Sequence, residues 1–159
     1  MLQAHRIELL GDVRRYPMSR RHPQFGRDSL QAALASGRIE YTWLESLGGR
    51  RYPRTDSPNT GWRVTGFRGY ADYMETPEFQ HAFDGLLDMA AEKRTAIMCA
   101  EALWWQCHRR LVSDAVVARG HDVLHIQTPA VAAPHKLIPP AHLRDGKLSY
   151  VAAQPELDF

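Results

Sequence analysis

The stretch "TAIMCAEALWWQCHRRLVSDAVVARG", residues 95–120, indicates the fold because it joins a short apolar segment to a helical one. Its first six residues, "TAIMCA", have the length and composition of a buried strand. Residues 104–120 have the composition of a helix and end in a glycine, which commonly follows the last turn of a helix. A strand followed by a helix is half of the unit from which parallel sheets are built.

The same alternation continues on both sides of this stretch. Further strands are predicted over residues 6–13 ("RIELLGDV"), 38–44 ("RIEYTWL") and 122–127 ("DVLHIQ"). Further helices are predicted over residues 28–37 ("DSLQAALASG") and 76–93 ("TPEFQHAFDGLLDMAAEK"), where Asp28 and Thr76 are suitable N-caps. Short apolar strands that alternate with amphipathic helices predict an α/β domain, with a mostly parallel sheet and helices on both faces.

The length of 159 residues favours a single domain with one core, over about residues 7–127. Residues 128–159 form a proline-rich extension, with a possible hairpin through Asp145 and Gly146. Residues 48–66 lack any period, and a loop of that length is usually functional or mobile. No apolar run is long enough to cross a membrane, and no export signal is recognisable. With only two cysteines, a reducing cytoplasm is the expected location.

The charge is unevenly distributed along the chain. The net charge is only +2, yet residues 1–70 hold twelve arginines against six acidic residues, and residues 71–159 have an acidic excess. Arginine is the better planar partner for phosphate and carboxylate groups, although a GC-rich genome also encodes it by default. The basic half with its aromatic residues is compatible with an anionic ligand, a nucleotide or a nucleic acid.

Charged side chains follow two of the predicted strands. Asp12 and Arg14 come directly after the first strand, and Cys99 and Glu101 come at the end of the strand that begins at Thr95. In open parallel sheets, ligands bind outside the carboxyl ends of the strands. These residues are therefore candidates for a binding or catalytic site, although an ion pair would equally explain Asp12 and Arg14.

Cys99 and Cys107 allow three interpretations. Both side chains could simply pack in the core, or Cys99 could be a thiolate favoured by a helix N-terminus and by nearby arginines. The third interpretation, a zinc site with Glu101 and His108, is disfavoured because there is no Cys-x-x-Cys pair and because neighbouring residues on one helix diverge by about 100°. We therefore predict neither a metal nor a cofactor. His108 and Glu101 are the candidate acid–base groups.

Several segments together resemble the domain of unknown function 488 family. They are "LLGDVRRYPMSRRHPQFG", "YTWLESLGGRR", "GFRGYADYMETPEF", "AIMCAEALWWQCHRRLV" and "GHDVLHI", in that order and spacing from about residue 7 to residue 126. The resemblance implies an α/β domain and one shared site, and it supplies no reaction. The site residues that it implies are Asp12, Arg14, Ser19, Arg20, Gly48, Gly49, Cys99, Glu101, Cys107, His108 and Arg109.

The chain departs from this family at two places. Members usually begin with a further strand and a Thr-x-Gly-His-Ser-like turn, so we expect the start at Met1 to lie inside the natural domain or one wall of the site to be missing. Members also often carry Asp-Pro between the glutamate and the second cysteine, where this chain has Leu103 and Trp104. The predicted last helix therefore starts without the cap that is usual in the family.

We expect a small enzyme with a cysteine-containing site, acting on an anionic substrate such as one that bears a phosphate or a nucleotide. In this hypothesis Cys99, Glu101, Cys107 and His108 are catalytic, and the other residues of the shared site bind substrate. The alternatives are a nucleic-acid-binding module, which is the second choice, and a protein-interaction module without catalysis. The pattern predicts no oligomeric state.

Overall fold

The computed structural model describes residues 1–152, and its centre is a three-stranded parallel sheet. The strands are β1 (Leu9–Asp12), β2 (Glu40–Trp43) and β3 (Thr95–Met98), in the spatial order β2-β1-β3. β1 is central, and Asp12 lies level with Trp43 on one side and with Met98 on the other. All three strands therefore end at the same edge of the sheet.

Four α-helices accompany the sheet: α1 (Arg27–Ser36), α2 (Thr65–Met74), α3 (Pro77–Glu92) and α4 (Arg109–Ala118). The capping prediction for α3 is confirmed, because the Thr76 hydroxyl accepts a hydrogen bond from the backbone N–H of Phe79 at 3.3 Å. No helix was predicted where α2 lies. It follows the aperiodic segment that begins at residue 48, and its N-cap residue Val64 has no capping side chain, so its start carries no local signal.

The prediction for the last helix was too long at its N-terminus. α4 begins at Arg109, and a 3₁₀ turn at Trp104–Gln106 precedes it. Between the two, Cys107 has an extended backbone with φ −129° and ψ 154°. The sequence lacks a cap that would start an α-helix at residue 104, and short 3₁₀ turns are common as connectors.

The strand predicted over residues 122–127 does not belong to the parallel sheet. It is present as β4 (Leu124–Ile126), but it pairs antiparallel with β5 (Ala132–Pro134). The chain turns back at once, since the backbone N–H of Gln127 donates to the carbonyl of Val131 at 3.0 Å. The structure thus contains helices, a three-stranded parallel sheet and two small antiparallel sheets. The α/β class is as predicted, but the parallel sheet has three strands and does not include β4.

The second antiparallel pair is a hairpin near the end of the described residues. β6 (His142–Arg144) pairs with β7 (Lys147–Ser149) around Asp145 and Gly146. Both turn residues have positive φ, 50° and 73°, which is the backbone of a type I′ turn.

Two groups of buried apolar side chains contact the sheet. Ile97 and Cys99 pack with the larger group, which includes Phe79, Phe83 and Leu111 from α3 and α4. Ala96 and Met98 pack with the smaller group, which contains Leu30 and Leu34 of α1. Because side chains alternate along a strand, Cys99 lies on the side of the larger group. Within residues 1–152 no helix is long and apolar enough to span a membrane.

Candidate active site

The two cysteines lie at either end of the connection between β3 and α4. Cys99 follows the last residue of β3 and is half-buried, whereas Cys107 is only 2% exposed. The extended backbone at Cys107 turns the chain so that its side chain meets that of Cys99. Both cysteines are free thiols, and their Sγ atoms are 2.7 Å apart.

His108 is the neighbour of this thiol pair on its buried side. Its Nε2 lies 3.0 Å from the carbonyl oxygen of Val13, at the end of β1. A carbonyl only accepts hydrogen bonds, so Nε2 carries a proton. Nδ1 lies 3.5 Å from the Cys107 sulfur and can therefore take a proton from it. The arrangement matches a nucleophile with a base that a third group orients.

Arg109 contacts the pair at the start of α4. Its backbone N–H and its Nε donate to the Cys107 sulfur at 3.4 and 3.5 Å, and its Nη2 donates to the carbonyl of Glu101. The first backbone N–H groups of a helix carry partial positive charge. Cys107 thus accepts hydrogen bonds from groups that favour its thiolate form.

The two thiols titrate as a unit. The hydrogen bond from the Cys99 thiol is the largest influence on Cys107; it lowers the pKa of Cys107 to about 5 against the opposing effect of burial, and His108 and the Arg109 N–H lower it further. The pKa of Cys99 is raised, first by its hydrogen bond with Cys107 and then by burial. One proton therefore leaves the pair readily, and the second is held between the two sulfurs.

Glu101 lies beside Cys99. Its Oε2 accepts from the Cys99 thiol, so the single proton of that thiol is shared between Glu101 and the Cys107 sulfur. Burial opposes ionisation of Glu101, but the hydrogen bonds from the Cys99 thiol and from its own backbone N–H outweigh that effect and lower its pKa. Glu101 is thus a carboxylate at neutral pH, next to the less buried of the two cysteines.

Asp12 and Arg14 are close to the site but bind each other. Arg14 Nε donates to both carboxylate oxygens of Asp12, at 2.8 and 3.0 Å, and Arg14 Nη1 donates to the carbonyl of Phe25 at 2.8 Å. The Tyr41 hydroxyl completes the contacts of Asp12 at 2.7 Å. Both side chains are buried, so in this structure they connect the end of β1 to β2 and to the following loop.

Gly48 and Gly49 pack against the site directly. A Cβ atom on Gly49 would lie 2.7 Å from His108 Nδ1, and one on Gly48 would lie 2.9 Å from the Cα of Arg15. The absence of side chains at both positions lets the loop approach the imidazole. Ser19 and Arg20 are less directly connected. Ser19 Oγ accepts from the backbone N–H of His22, and the Arg20 side chain is exposed.

Among the described residues, Cys99, Cys107 and His108 form the cluster with metal-ligating potential. Their ligand atoms all lie within 4.8 Å of one another. The sequence argument against a metal assumed that Cys107 and His108 share a helix, and that assumption is wrong because both precede α4. These three residues could hold a thiophilic ion in place of the hydrogen bonds described above.

A second polar cluster, which the sequence analysis did not identify, is centred on Asp114. Asp114 of α4 is fully buried and accepts from His135 Nε2 at 2.8 Å and from the Tyr150 hydroxyl at 2.9 Å. His135 Nδ1 is in turn 2.9 Å from His125 Nε2, and Trp104 stacks on His125 with 3.7 Å between ring centroids. An acidic residue on the apolar face of α4, between Leu111 and Ala115, was the available signal for this cluster.

One comparison with known proteins assigns a family. Residues 1–116 match the family described as "Domain of unknown function DUF488". The chain belongs to this family. No curated protein and no solved structure matches the chain.

The part that matches the DUF488 family contains every candidate site residue from Asp12 to Arg109, and it also contains Asp114. His125, His135 and Tyr150, which complete the buried cluster around Asp114, lie beyond it. The thiol site is therefore built wholly from the family's part of the chain, whereas the second cluster joins that part to the C-terminal segment.

Proposed function

We propose that this chain is a small thiol enzyme that acts on an anionic substrate, with Cys99 as nucleophile. The observation that carries the proposal is the row of hydrogen-bonded groups that leads from Cys99 to Cys107 and on to His108. The Val13 carbonyl holds the far nitrogen of His108 and thereby orients the row. A purely packed cysteine needs no base at its side.

The row provides a route for the proton of the nucleophile. When Cys99 attacks, its proton passes to the Cys107 sulfur, and His108 Nδ1 receives the proton that Cys107 releases. Cys99 is the sulfur that a substrate can reach, and Cys107 supports it from behind. Glu101 is ionised and lies on the exposed side, where it accepts a proton from an incoming group such as water or a thiol.

Positive charge beside the site supports an anionic substrate. Arg109 contacts Cys107 directly. Gly49, which precedes Arg50 in the chain, packs against His108, and Gly48 packs against the backbone of Arg15. Arg50 is exposed, and its guanidinium lies 6.0 Å from the centre of the Tyr16 ring. An exposed ring beside arginine suits a nucleotide, because the base stacks while the phosphate binds the guanidinium.

Alkylation by iodoacetamide as a function of pH tests the nucleophile. The pair loses its first proton well below the ordinary cysteine pKa of about 8.5, and the remaining proton can lie on either sulfur. We therefore expect half-maximal reactivity in that lower range, with the adduct found by mass spectrometry on Cys99, the less buried of the two. Cys107→Ser and His108→Gln should each move the midpoint back towards that ordinary value, because each interrupts the proton route. A midpoint at or above the ordinary value in the wild-type protein would contradict the proposal.

Protection experiments test the substrate class. Inorganic phosphate and adenosine monophosphate should slow the alkylation of Cys99, and an uncharged nucleoside should not. Arg50→Gln should weaken the protection, whereas Arg144→Gln in the distant β6–β7 hairpin serves as the matched control. Equal protection by the charged and uncharged compounds would rule out recognition of the anion.

Binding of single-stranded nucleic acid is a second candidate function. Its support is a group of exposed aromatic and basic side chains on neighbouring loops, with Tyr52 90% and Tyr16 62% exposed near Arg20 and Arg50. Fluorescence anisotropy with a labelled oligonucleotide checks it, because binding through phosphates must weaken steeply as salt is added. No binding at low salt would remove this candidate.

A further inference from the structure

The Cys99 and Cys107 sulfurs are close enough to react with each other as well as with a substrate. They are 2.7 Å apart, and a disulfide needs about 2.0 Å. The connection between them, residues 100–106, is mostly exposed and contains one short 3₁₀ turn, so a small displacement there would bring the sulfurs together. Any adduct that forms on Cys99 therefore has a second sulfur immediately behind it.

We infer that Cys99 and Cys107 form a two-electron dithiol–disulfide couple whose substrate is a small anionic disulfide. This inference rests on the proposed thiol chemistry of Cys99 and names the substrate class for the same site. Two features favour it over hydrolysis. The Cys107 sulfur competes with water for any adduct, since it is already within contact distance. It is also held in place beside Cys99 by its contacts with Arg109 and His108.

The reaction takes place in two exchange steps. First, the Cys99 sulfur attacks one sulfur of the substrate and the substrate S–S bond breaks. The first product leaves as a thiol, with the proton that Cys99 gave up. Second, the Cys107 sulfur attacks the Cys99 sulfur of the mixed disulfide. The bond to the substrate sulfur breaks, and the second product leaves as a thiolate; it takes a proton from solvent, which balances the proton that Cys107 had already released to solvent. The two cysteines are oxidised, and one substrate disulfide is reduced to two thiols.

Burial determines which cysteine has which role. Cys99 is half-buried and meets the substrate, whereas Cys107 is 2% exposed and lies on the inner side of Cys99. The substrate sulfur therefore leaves towards solvent while Cys107 attacks from the opposite side. The positive charge for the remaining anionic groups comes from Arg50 on the neighbouring loop.

Stoichiometric oxidation of the full chain tests the couple. The protein is reduced, treated with a chelator so that no thiophilic ion masks the thiols, and mixed with glutathione disulfide. Wild-type protein should become lighter by two hydrogen atoms and release two equivalents of glutathione. Cys107→Ser should stop at a mixed disulfide on Cys99, and Cys99→Ser should not react. A wild-type protein that accumulates the mixed disulfide, or stays reduced, would overturn the inference.

Cystamine, a small disulfide with two positive charges, is the matched probe for the anionic class. Glutathione disulfide should react at least about tenfold faster at low ionic strength, because the site's charge attracts anions, and the difference should shrink in salt and in Arg50→Gln. Equal rates would overturn the anionic assignment. If Cys99 is still alkylated at low pH but no internal disulfide forms, the proposal of a thiol enzyme is retained and the proposal of a redox couple is rejected. If neither reaction occurs, both proposals are rejected.

Discussion

At the scale of single residues, the carbonyl of Val13 determines how His108 is used. It accepts from Nε2, so the remaining nitrogen of the ring faces the Cys107 sulfur. The sequence marked His108 as an acid–base candidate, but it contained no information on which nitrogen would be free, because Val13 and His108 are 95 residues apart. The choice of nitrogen depends on the packing of β1 against the start of α4.

Gly49→Ala tests that orientation. The new Cβ would lie 2.7 Å from His108 Nδ1, a distance that forces the imidazole or the loop to move. We expect the alkylation midpoint of Cys99 to rise towards that of an ordinary thiol, together with a loss of stability in urea unfolding. Gly85→Ala in α3 is the control: apart from its chain neighbours and the backbone of its own helix, no atom lies within 4 Å of the added methyl group, and helix stability should increase by roughly 0.5–1 kcal/mol. An unchanged midpoint in Gly49→Ala would show that the contact does not hold the ring.

At the scale of elements, the end of β1 connects the sheet to the site. The predicted substrate-binding residues Asp12 and Arg14 lie there, and they use each other as hydrogen-bond partners. Hydrogen bonding to Asp12 raises the pKa of Arg14 against the opposing effect of burial, so the guanidinium is charged. Arg14 also reaches the Phe25 carbonyl, and Trp43 of β2 donates to the Arg14 carbonyl at 2.9 Å. Their contribution in this structure is to stabilise the strand end.

We therefore expect the main effect of Asp12→Asn to be a loss of stability. The substitution leaves a buried guanidinium without its counter-charge, a change that typically costs about 3–5 kcal/mol. Tyr41→Phe removes only one hydrogen bond from the same carboxylate and should cost about 1 kcal/mol. Urea unfolding of both variants measures the difference. If Asp12→Asn were no more destabilising than Tyr41→Phe, Asp12 and Arg14 would instead be free to serve a ligand.

At the scale of the whole molecule, the cluster around Asp114 joins the C-terminal segment to the domain. Asp114 binds His135 and Tyr150, and His135 binds His125, so three separate segments meet at one buried carboxylate. The Asp114 carboxylate only accepts hydrogen bonds, so His135 donates to it through Nε2. Burial first, and then the charges of His135 and Arg109, lower the pKa of His125 to about 4.

The protein should consequently become less stable as the pH is lowered through the range in which His125 titrates. In the unfolded chain the histidine binds a proton near pH 6.5, whereas in the folded protein it does so only near pH 4. The unfolded state thus holds more protons between these values, and the free energy of unfolding decreases as the pH falls from about 6.5 to 4, by at most about 3 kcal/mol. Urea unfolding at several pH values measures this. His125→Asn should be less stable at neutral pH and should lack this part of the pH dependence; an identical slope in both proteins would contradict the assignment.

The sequence by itself determined the local secondary-structure elements and the positions of the candidate catalytic and binding residues along them. Apolar runs of strand length and amphipathic runs with caps predict β1, β2, β3, α1 and α3, because these signals arise from neighbouring residues. The position of Cys99 at the end of a strand follows from the same pattern. The membership in the DUF488 family could also be inferred from motifs alone, and the match over residues 1–116 confirms it.

Only the tertiary structure decided which side chains meet. The contact between Cys99 and Cys107 depends on the extended backbone of Cys107, where a helix was predicted. The antiparallel pairing of β4 with β5 depends on a turn after β4, where the alternation of strands and helices had predicted a further parallel strand. His135 lies in a proline-rich segment with no periodicity, yet it binds Asp114 of α4. Periodicity reports on the direction in which a side chain points along its own element. It carries no information on partners from elsewhere in the chain, and the proposed chemistry of this protein depends on such partners.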